Sequence, residues 1–289
     1  MDLKKWRVFL SVANCGNFTK AGEELGYTQS GITQMMKNLE LEVGFPLFNK
    51  TNHGISLTSE SKELIPSIRA LIAADESVKQ EISFLKGSEK GTLKIGSFIS
   101  CSIHWIPKII RAFEINNPGI KFEILEGHEN EIDEWVQNYR VDIGFTSYQA
   151  YHTVDFIPVH TDPMYAVLPK NHPYTEYDVI PLEWFNEVPF IICEYTYTSD
   201  IHRILKKHNI KPDIKYSTSN DFSVISMVEH ELGVSILPEL VIRGHVGNFE
   251  FRPITPDINR QIGMAVRSSS HWSPAMKIFI KYAKEYLLS

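Results

Sequence analysis

Apolar side chains recur every three or four residues near the start of the chain, a spacing that predicts amphipathic helices. Gly26 supplies a turn after the second of these helices, because a residue without a Cβ adopts positive φ most easily. We therefore expect two short helices that pack through one apolar face each. The packing residues are Phe9, Val12 and Ala13 in the first helix and Phe18, Ala21 and Leu25 in the second.

A third helix is predicted after Thr28, whose hydroxyl can cap its first turn. Ile32, Met36 and Leu39 recur at helical spacing and form its buried stripe. The opposite face carries side chains suited to base edges and phosphates, namely Gln29, Ser30, Thr33, Gln34 and Lys37. Gly54 then indicates the tip of a β-hairpin. A helix presented beside such a wing fits the DNA major groove, while a protein-interaction module is the alternative.

Several short motifs stand in fixed register across residues 18–58. They are Ala21-Gly22, Thr28-Gln29, Leu39-Glu40, Gly44–Phe48 and Leu57-Thr58. In these motifs, and in its length and later segments, the chain resembles the LysR-type transcriptional regulators. The resemblance implies a winged helix–turn–helix that binds a pseudo-palindromic operator on double-stranded DNA. The residues assigned to DNA are Thr28, Gln29, Ser30, Thr33, Gln34, Lys37, Lys50 and His53.

The chain departs from the family pattern at three positions where arginine is usual, which here are Gln34, Lys50 and His53. The pattern implies that Lys50 contacts a phosphate and that His53 lies near the minor groove, but lysine lacks the bidentate fork of arginine. Residues 1–58 hold six basic and five acidic side chains, so a strongly basic footprint is missing. We expect modest non-specific affinity and specific binding that depends on dimerisation.

Residues 59–88 carry an apolar seam with alternating steps of four and three residues. Its positions are Leu64, Ile68, Leu71, Asp75, Val78, Ile82 and Leu85, so Asp75 alone interrupts it. The seam predicts a linker helix that pairs with its copy in a second subunit, and the alternative is a helix packed on its own domain. As the resemblance also implies, we expect a homodimer that assembles further into a homotetramer.

From residue 92 onward, short apolar strands alternate with helices, which predicts parallel sheets covered on both faces. A first unit has strands at 92–96, 121–125 and 141–145 and helices at 103–116 and 132–138, and is completed by a strand at 261–266 and a helix at 274–288. A second unit begins near Tyr165 and includes a strand at 190–193, a helix after Ser199, a helix at 221–232 and a strand at 234–237. Two such lobes resemble the periplasmic-binding-protein-like effector domain of the LysR family.

The expected fold is thus a multidomain α+β protein with three parts. They are a winged helix–turn–helix domain at 1–58, a linker helix at 59–88 and an effector-binding domain at 89–289. Within the effector domain, lobe I covers about 89–162 and 266–289, and lobe II covers about 163–265.

Ligands of open α/β sheets bind beyond the carboxyl ends of the strands, so the polar residues there are candidates for effector binding. They are Ser100, Ser102, Thr146, Glu194, Thr196, Thr198 and Asn220. We expect Ser100 and Ser102 at a helix N-terminus, which favours an anion, although such hydroxyls also serve simply as caps. Glu194 and Asp221 disfavour a fully anionic ligand and leave room for an amine or several hydroxyls. We therefore expect a small polar metabolite as the effector.

Other functions find little support in the sequence. There is no G-x-S-x-G, Walker or H-E-x-x-H motif, so we expect no enzyme activity, catalytic site, cofactor or metal. Cys101 is predicted at a helix N-terminus, which would lower its thiol pKa, but it has no recognisable redox partner. No apolar run approaches the roughly 20 residues that span a bilayer. The N-terminus also lacks a secretory signal, which counts against a solute-binding protein and favours the cytoplasm without membrane association.

Overall fold

Three helices and a two-stranded hairpin begin the chain: α1 Leu3–Cys15, α2 Phe18–Leu25, α3 Gln29–Val43, β1 Phe48–Thr51 and β2 Gly54–Leu57. The computed structural model describes residues 2–51, 54–149, 153–193 and 200–288. It divides into an N-terminal unit, Met1–Ser88 with Asn138–Arg140, and a C-terminal unit, Glu89–Gln137 with Val141–Ser289. The turn at Gly26 is confirmed by its φ of 71°, and the cap at Thr28 by a hydrogen bond of 3.1 Å from the Gly31 N–H.

The predicted apolar stripes form the core of the N-terminal unit. The fully or almost fully buried members include Phe9, Val12, Ala21, Ile32, Met36 and Leu39. Phe18 packs edge-on against Phe48, with ring centroids 5.6 Å apart, and so ties α2 to the wing. The prediction that Leu25 packs on α1 is wrong, since this residue is exposed. Leu25 is the last residue of an eight-residue helix, where the chain already turns away at Gly26.

The short motifs of residues 18–58 have identifiable packing reasons. A Cβ at Gly22 would lie 2.7 Å from the Tyr27 carbonyl oxygen, so glycine permits the close approach between α2 and the following turn. The Leu47 N–H donates to Glu40 Oε1 at 2.8 Å and thereby joins α3 to the segment that enters the wing. Thr58 caps the next helix and also donates its hydroxyl to the Pro46 carbonyl at 3.0 Å.

The predicted hairpin is present, but Gly54 begins β2 opposite Thr51 instead of forming the tip. Its φ is 134°, and a Cβ there would lie 2.8 Å from the Gly16 carbonyl oxygen. The Ile55 N–H donates to that same oxygen at 3.2 Å. Glycine at position 54 therefore lets the wing pack against the turn between α1 and α2.

The linker is a single helix, α4 Ser59–Leu85, which contains Pro66 in its second turn. Ile68 and Ile72 are buried in the core of the N-terminal unit. Asp75 accepts a hydrogen bond of 3.0 Å from the Arg7 guanidinium, which explains why a carboxylate interrupts the apolar seam. Further along the helix, Val78 is 54% and Ile82 47% exposed.

The C-terminal unit alternates strands and helices, and their bounds within the described ranges are as follows. The helices are α5 Ile99–His104, α6 Ile106–Glu114, α7 Glu129–Gln137, α8 Asp200–Lys207, α9 Asp221–Glu229, α10 Glu239–Ile242 and α11 Pro274–Leu288, with short 3₁₀ turns at Pro173–Glu176, Leu182–Phe185 and Ser269–His271. The strands are β3 Gly91–Ser97, β4 Ile120–Glu126, β5 Ile143–Ser147, β6 Asp155–Pro169, β7 Ile180–Pro181, β8 Pro189–Cys193, β9 Asp213–Thr218, β10 Ser235–Pro238, β11 Phe249–Thr255 and β12 Asn259–Val266.

The largest sheet has the order β4-β3-β5-β12-β6-β11-β7, and β10 also pairs with β6. The predicted parallel pairing holds for β3 with β4 and β5, whereas β12 is antiparallel to both β5 and β6. The second lobe adds the parallel pair β8-β9. The fold is therefore the predicted two-lobed α/β arrangement, with an antiparallel return strand that the alternating pattern did not indicate.

Strand β6 runs through both lobes. Its first part pairs with β12, and its last part pairs with β10 and β11. The sequence pattern identified only the end of this strand, from Tyr165. Pro158 and Pro163 lie in the earlier part, and proline weakens any strand prediction because it cannot donate to a ladder.

The helix predicted at 103–116 is instead two helices, α5 and α6, that meet at Trp105. Pro107 lies in the first turn of α6, where its missing N–H costs little. Ser100 and Ser102 consequently lie within α5, whose N-cap is Phe98. Ser100 is therefore in the first turn of a helix, as expected, and Ser102 is the fourth residue, but this helix ends at His104 and Trp105 is its C-cap.

Candidate DNA-binding and effector sites

The polar face of α3 is assembled as predicted from the helical spacing. Gln29, Ser30, Gln34 and Lys37 are exposed, while Thr33 is half-buried. The Thr33 hydroxyl donates to the Gln29 carbonyl at 2.9 Å, so it is already used within the helix. The exposed side chains on this face are therefore the amides of Gln29 and Gln34, the hydroxyl of Ser30 and the ammonium of Lys37.

The basic residues of the segment 1–58 fall into two groups. Those of α1 have partners within the unit: Lys4 lies 5.2 Å from the Tyr27 ring centroid, Lys5 pairs with Glu42, and Arg7 pairs with Asp75 and Glu76. The second group is Lys20, Lys37 and Lys50, which are exposed and for which the described residues provide no ion pair. His53 lies outside the described residues. Positive charge for phosphates is thus concentrated on α2, α3 and the wing.

A cavity of about 300 Å³ lies in the C-terminal unit, where strands of both lobes end. Phe98 and Ile99 follow β3, Glu126 ends β4 and residues 127–131 follow it, and Cys193 ends β8. Residues 219–221 follow β9, and residues 236–238 belong to β10. The cavity therefore occupies the carboxyl ends of strands, where ligands of α/β folds bind.

The residues predicted for effector binding have different positions relative to this cavity. Asn220 lines it and caps α9 by accepting a hydrogen bond of 2.9 Å from the Phe222 N–H. Ser100 is buried behind the cavity, and its Oγ accepts a hydrogen bond of 3.3 Å from Arg260. Ser102 and Thr146 do not line the cavity. The other three predicted residues, Glu194, Thr196 and Thr198, lie outside the described residues.

Sequence reasoning missed a buried ion pair at the cavity wall. The Arg260 Nε–H donates a hydrogen bond of 2.9 Å to Asp162 Oδ2. The Nη2 atom of Arg260 lies 2.8 Å from the same oxygen. The side chain of Asp162 is 0% exposed and that of Arg260 10%. The other Asp162 oxygen accepts a hydrogen bond of 3.0 Å from the Leu240 N–H. The sequence does show a charged residue within each of these strands, Asp162 in β6 and Arg260 in β12. Nothing in the sequence indicates that these two residues form a pair.

A second unpredicted feature is a pair of carboxyl groups, Glu129 on α7 and Asp200 on α8. The oxygens of Glu129 accept hydrogen bonds from the Ser147 hydroxyl at 2.7 Å and the Gln149 amide at 2.8 Å. Burial, followed by the proximity of Asp200, raises the pKa of Glu129 to about 8. At neutral pH Glu129 is therefore largely protonated, and its proton can be donated to the neighbouring Asp200. Apart from that proton, Asp200 Oδ2 is buried without a hydrogen-bond partner among the described residues.

Replacing Glu129 by glutamine should increase stability at alkaline pH. Because its pKa is raised on folding, protonated Glu129 contributes to the free energy of unfolding. This contribution is complete below the unfolded pKa of about 4.5 and is lost as the pH rises to about 8. The neutral amide does not ionise, although its single oxygen can accept a hydrogen bond from only one of Ser147 and Gln149. Near pH 4.5 the Glu129→Gln variant should be as stable as the wild type or slightly less stable, and between pH 4.5 and pH 8.5 its stability relative to the wild type should rise on the order of 4 kcal/mol, or roughly 8–16 °C. An equal difference at both pH values would contradict the assignment, and the exposed control Glu183→Gln should show none.

Cys101 is fully buried, and burial raises the pKa of its thiol well above the ordinary value. The prediction of a lowered thiol pKa is wrong because desolvation outweighs the field of a short helix. Across the described ranges, no group of three or more acidic, histidine or cysteine side chains is arranged to hold a metal ion. Nor does any described helix combine the length and apolar character needed to cross a membrane.

A winged helix–turn–helix followed by a two-lobed domain with a ligand-sized cavity defines a class of DNA-binding transcriptional regulators. Residues 3–62 match the bacterial regulatory helix-turn-helix of the lysR family, and residues 86–288 match the LysR substrate binding domain. The chain belongs to the LysR family of transcriptional regulators. The family resemblance inferred from the motifs of residues 18–58 is thereby confirmed.

Similar proteins with known sequences are transcriptional regulators rather than enzymes. The uncharacterised regulator YvbU of Bacillus subtilis (strain 168) is 30% identical over 291 residues, covering 99% of this chain and 98% of YvbU. The Hca operon transcriptional activator HcaR of Escherichia coli (strain K12) is 24% identical over 294 residues, covering 100% of this chain and 99% of HcaR. The alignments with YvbU and HcaR each include the N-terminal and the C-terminal unit.

Solved structures share the fold. A full-length OxyR variant from Pseudomonas aeruginosa has a TM-score of 0.77 at 20% identity, covering 98% of this chain and 95% of that one. Full-length CbnR complexed with its target DNA has a TM-score of 0.71 at 18% identity, covering 99% and 100%. The effector binding domain of QuiR in complex with shikimate has a TM-score of 0.63 at 25% identity, covering 68% of this chain and 97% of that domain.

Proposed function

We propose that this regulator binds a pseudo-palindromic operator and that a small polar metabolite, bound between the lobes, controls this binding. The observation that carries the proposal is the cavity of about 300 Å³ at the strand ends of both lobes, with buried charged groups from each lobe at its wall. The similar effector binding domain of QuiR was solved with shikimate, which supports a small-molecule ligand for this type of domain.

The proposed parts of the chain are a DNA-binding domain at 1–58, a linker at 59–88 and an effector domain at 89–289, with lobes at about 89–162 plus 266–289 and 163–265. Helix α3 enters the major groove, where Gln29, Ser30 and Gln34 reach base edges. Lys37 and Lys50 contact phosphates. The exposure of these side chains and the intramolecular pairing of the α1 cations support this division of roles.

We further propose that α4 pairs with α4 of a second subunit and that dimers associate into tetramers. The apolar residues Val78, Ile82 and Leu85 are exposed along one seam of this helix. A coiled-coil helix without its partner exposes its seam in the same way. Pairing places two recognition helices at a fixed separation, which matches a two-fold symmetric operator.

Effector binding would change the closure of the lobes and, through the assembly, the geometry of the paired recognition helices. Linkage then requires the operator and the effector to change each other's affinity by the same factor. Glu129 and Asp200 line the cavity from different lobes. A ligand that contacts both residues would change how far the lobes close.

DNase footprinting on the DNA that flanks the gene tests this function. We expect protection of a dyad-symmetric site, and a metabolite extract from the cell should extend, shorten or weaken it. Protection that never responds to extract would contradict effector control, and no protection at low salt would contradict operator binding in that region. A fragment with the same composition in scrambled order serves as the control, since non-specific binding would protect it equally.

A further inference from the structure

We propose that the cavity of the C-terminal unit selects a protonated amine, an ammonium group carried on a small apolar body, and binds that ammonium between Glu129 and Asp200. The proposal rests on the proposed function and deepens it by naming the chemical class of the effector.

The first support is the sign of the charges at the cavity wall. Carboxyl groups line it at Glu126, Glu129, Glu131, Asp200 and Asp221. The guanidinium that lines it, Arg260, is already paired with the buried Asp162 at 2.8 Å, so that its charge is neutralised locally. One oxygen of Asp200 is paired with Arg203, and Glu129 is largely protonated, so the remaining negative charge includes Glu126, Glu131 and the second oxygen of Asp200. This remaining charge favours a cationic ligand over an anionic one.

The second support is an available acceptor. Asp200 Oδ2 is buried and has no hydrogen-bond partner among the described residues other than the proton of Glu129. Both oxygens of Glu129 already accept hydrogen bonds, from Ser147 and Gln149, which hold this carboxyl group in place. An ammonium carries three donors and forms strong, charge-assisted hydrogen bonds with carboxylates. It can replace the shared proton and satisfy the buried oxygen.

The rest of the ligand is defined by the apolar part of the cavity wall. It includes Phe98, Met164, Ile236, Leu237 and Pro238. A volume of about 300 Å³ is at the lower end of the range for small-molecule sites, which fits a metabolite with a short aliphatic or single-ring body. A highly hydroxylated ligand would leave polar groups unpaired against this wall.

Binding should release one proton to solvent. Without the ligand, Glu129 keeps its proton because burial and Asp200 raise its pKa to about 8, and a neighbouring ammonium favours the ionised form instead. The other charged groups around Glu129 are Asp200 and Arg203 on α8, Arg260 on β12, Asp221 on α9, and His128 and Glu131 beside it in the chain. The affinity for an amine should therefore rise between pH 6.5 and pH 8.5.

The test is thermal unfolding and calorimetry of the full chain with three probes of similar shape: 2-phenylethylamine, 2-phenylethanol and 3-phenylpropionate. A metabolite extract is also separated on an ion exchanger into cationic, neutral and anionic fractions. We expect the cationic fraction or the amine to raise the unfolding midpoint by roughly 5–10 °C near saturation. Calorimetry in buffers of different ionisation enthalpy should report the released proton.

Two variants separate the proposed site from general charge effects. Asp200→Asn should weaken the response to the amine or the cationic fraction at least tenfold, whereas Asp178→Asn, at an exposed position outside the cavity, should leave it unchanged. An equal response in Asp200→Asn would overturn the proposed site. A response only to the anionic or neutral fraction, or to their matching probes, would overturn the ligand class while leaving effector control intact. No response to any probe or fraction would overturn both.

Discussion

Asp162→Ala is expected to destabilise the C-terminal unit by about 3–5 kcal/mol, because it leaves the buried Arg260 guanidinium without its hydrogen-bonded counter-charge. Asp162 is fully buried, and it accepts hydrogen bonds from Arg260 at 2.9 Å and from the Leu240 N–H at 3.0 Å. These contacts join β6, β12 and the start of α10. At roughly 2–4 °C per kcal/mol, the unfolding midpoint of this unit should fall by about 10 °C, as calorimetry would measure.

Two controls identify the unpaired charge as the cause. Asp178→Ala removes an exposed carboxylate and should change the midpoint very little. The double variant Asp162→Leu with Arg260→Met removes both charges, and it should recover much of the loss because no buried charge remains uncompensated. A loss below about 1 kcal/mol in Asp162→Ala, or a double variant that is less stable than Asp162→Ala, would contradict this account.

Placing aspartate at Val78 and Ile82 together should abolish dimerisation and weaken operator binding at least 100-fold. The two side chains are 54% and 47% exposed on α4, so the substitutions leave the core of the N-terminal unit intact. In a paired helix they would bury like charges against each other, which a coiled-coil seam does not tolerate. Loss of the second half-site removes the avidity that joins two weak contacts, typically worth about 10²–10⁴ in affinity.

Sedimentation velocity and a gel-shift titration on the footprinted operator measure this effect. The matched control is Val246→Asp with Ile115→Asp, which makes the same chemical change at exposed valine and isoleucine residues of the C-terminal unit. The control should remain at least dimeric and keep its operator affinity. If the α4 variant also stays dimeric and binds with unchanged affinity, the pairing of linker helices is wrong.

The modest positive charge of residues 1–58 makes operator binding depend more strongly on dimerisation. Of the six cations in residues 1–58, three have partners among Tyr27, Glu42, Asp75 and Glu76, which leaves Lys20, Lys37 and Lys50 on the exposed surface of α2, α3 and the wing. Each phosphate contact contributes a limited share of the binding free energy. A single winged helix–turn–helix domain therefore has little non-specific affinity for DNA. It cannot compensate for the loss of the second subunit.

Features that depend on neighbours along the chain were predictable from the sequence. Thr28 caps α3, Gly26 turns with positive φ, and Ile32, Met36 and Leu39 are buried, because capping, turn conformation and helical periodicity are local properties. Local reasoning failed where a single residue ended an element early. Trp105 divides one predicted helix into two, and the prolines of β6 concealed the first two thirds of a long strand.

The chemistry of the cavity wall, by contrast, could not be derived from local pattern. Arg260 meets Asp162 across 98 positions of sequence, and Glu129 meets Asp200 across two lobes. Any of the 29 basic side chains could have paired with any of the 35 acidic ones. A charge partner is chosen by the path of the folded chain, and a pKa by the water that folding excludes. Residue order was therefore sufficient for the family and the DNA-reading helix, whereas the ion pair and the proton-sharing carboxyl groups exist only because two distant strands and two helices converge on one buried space.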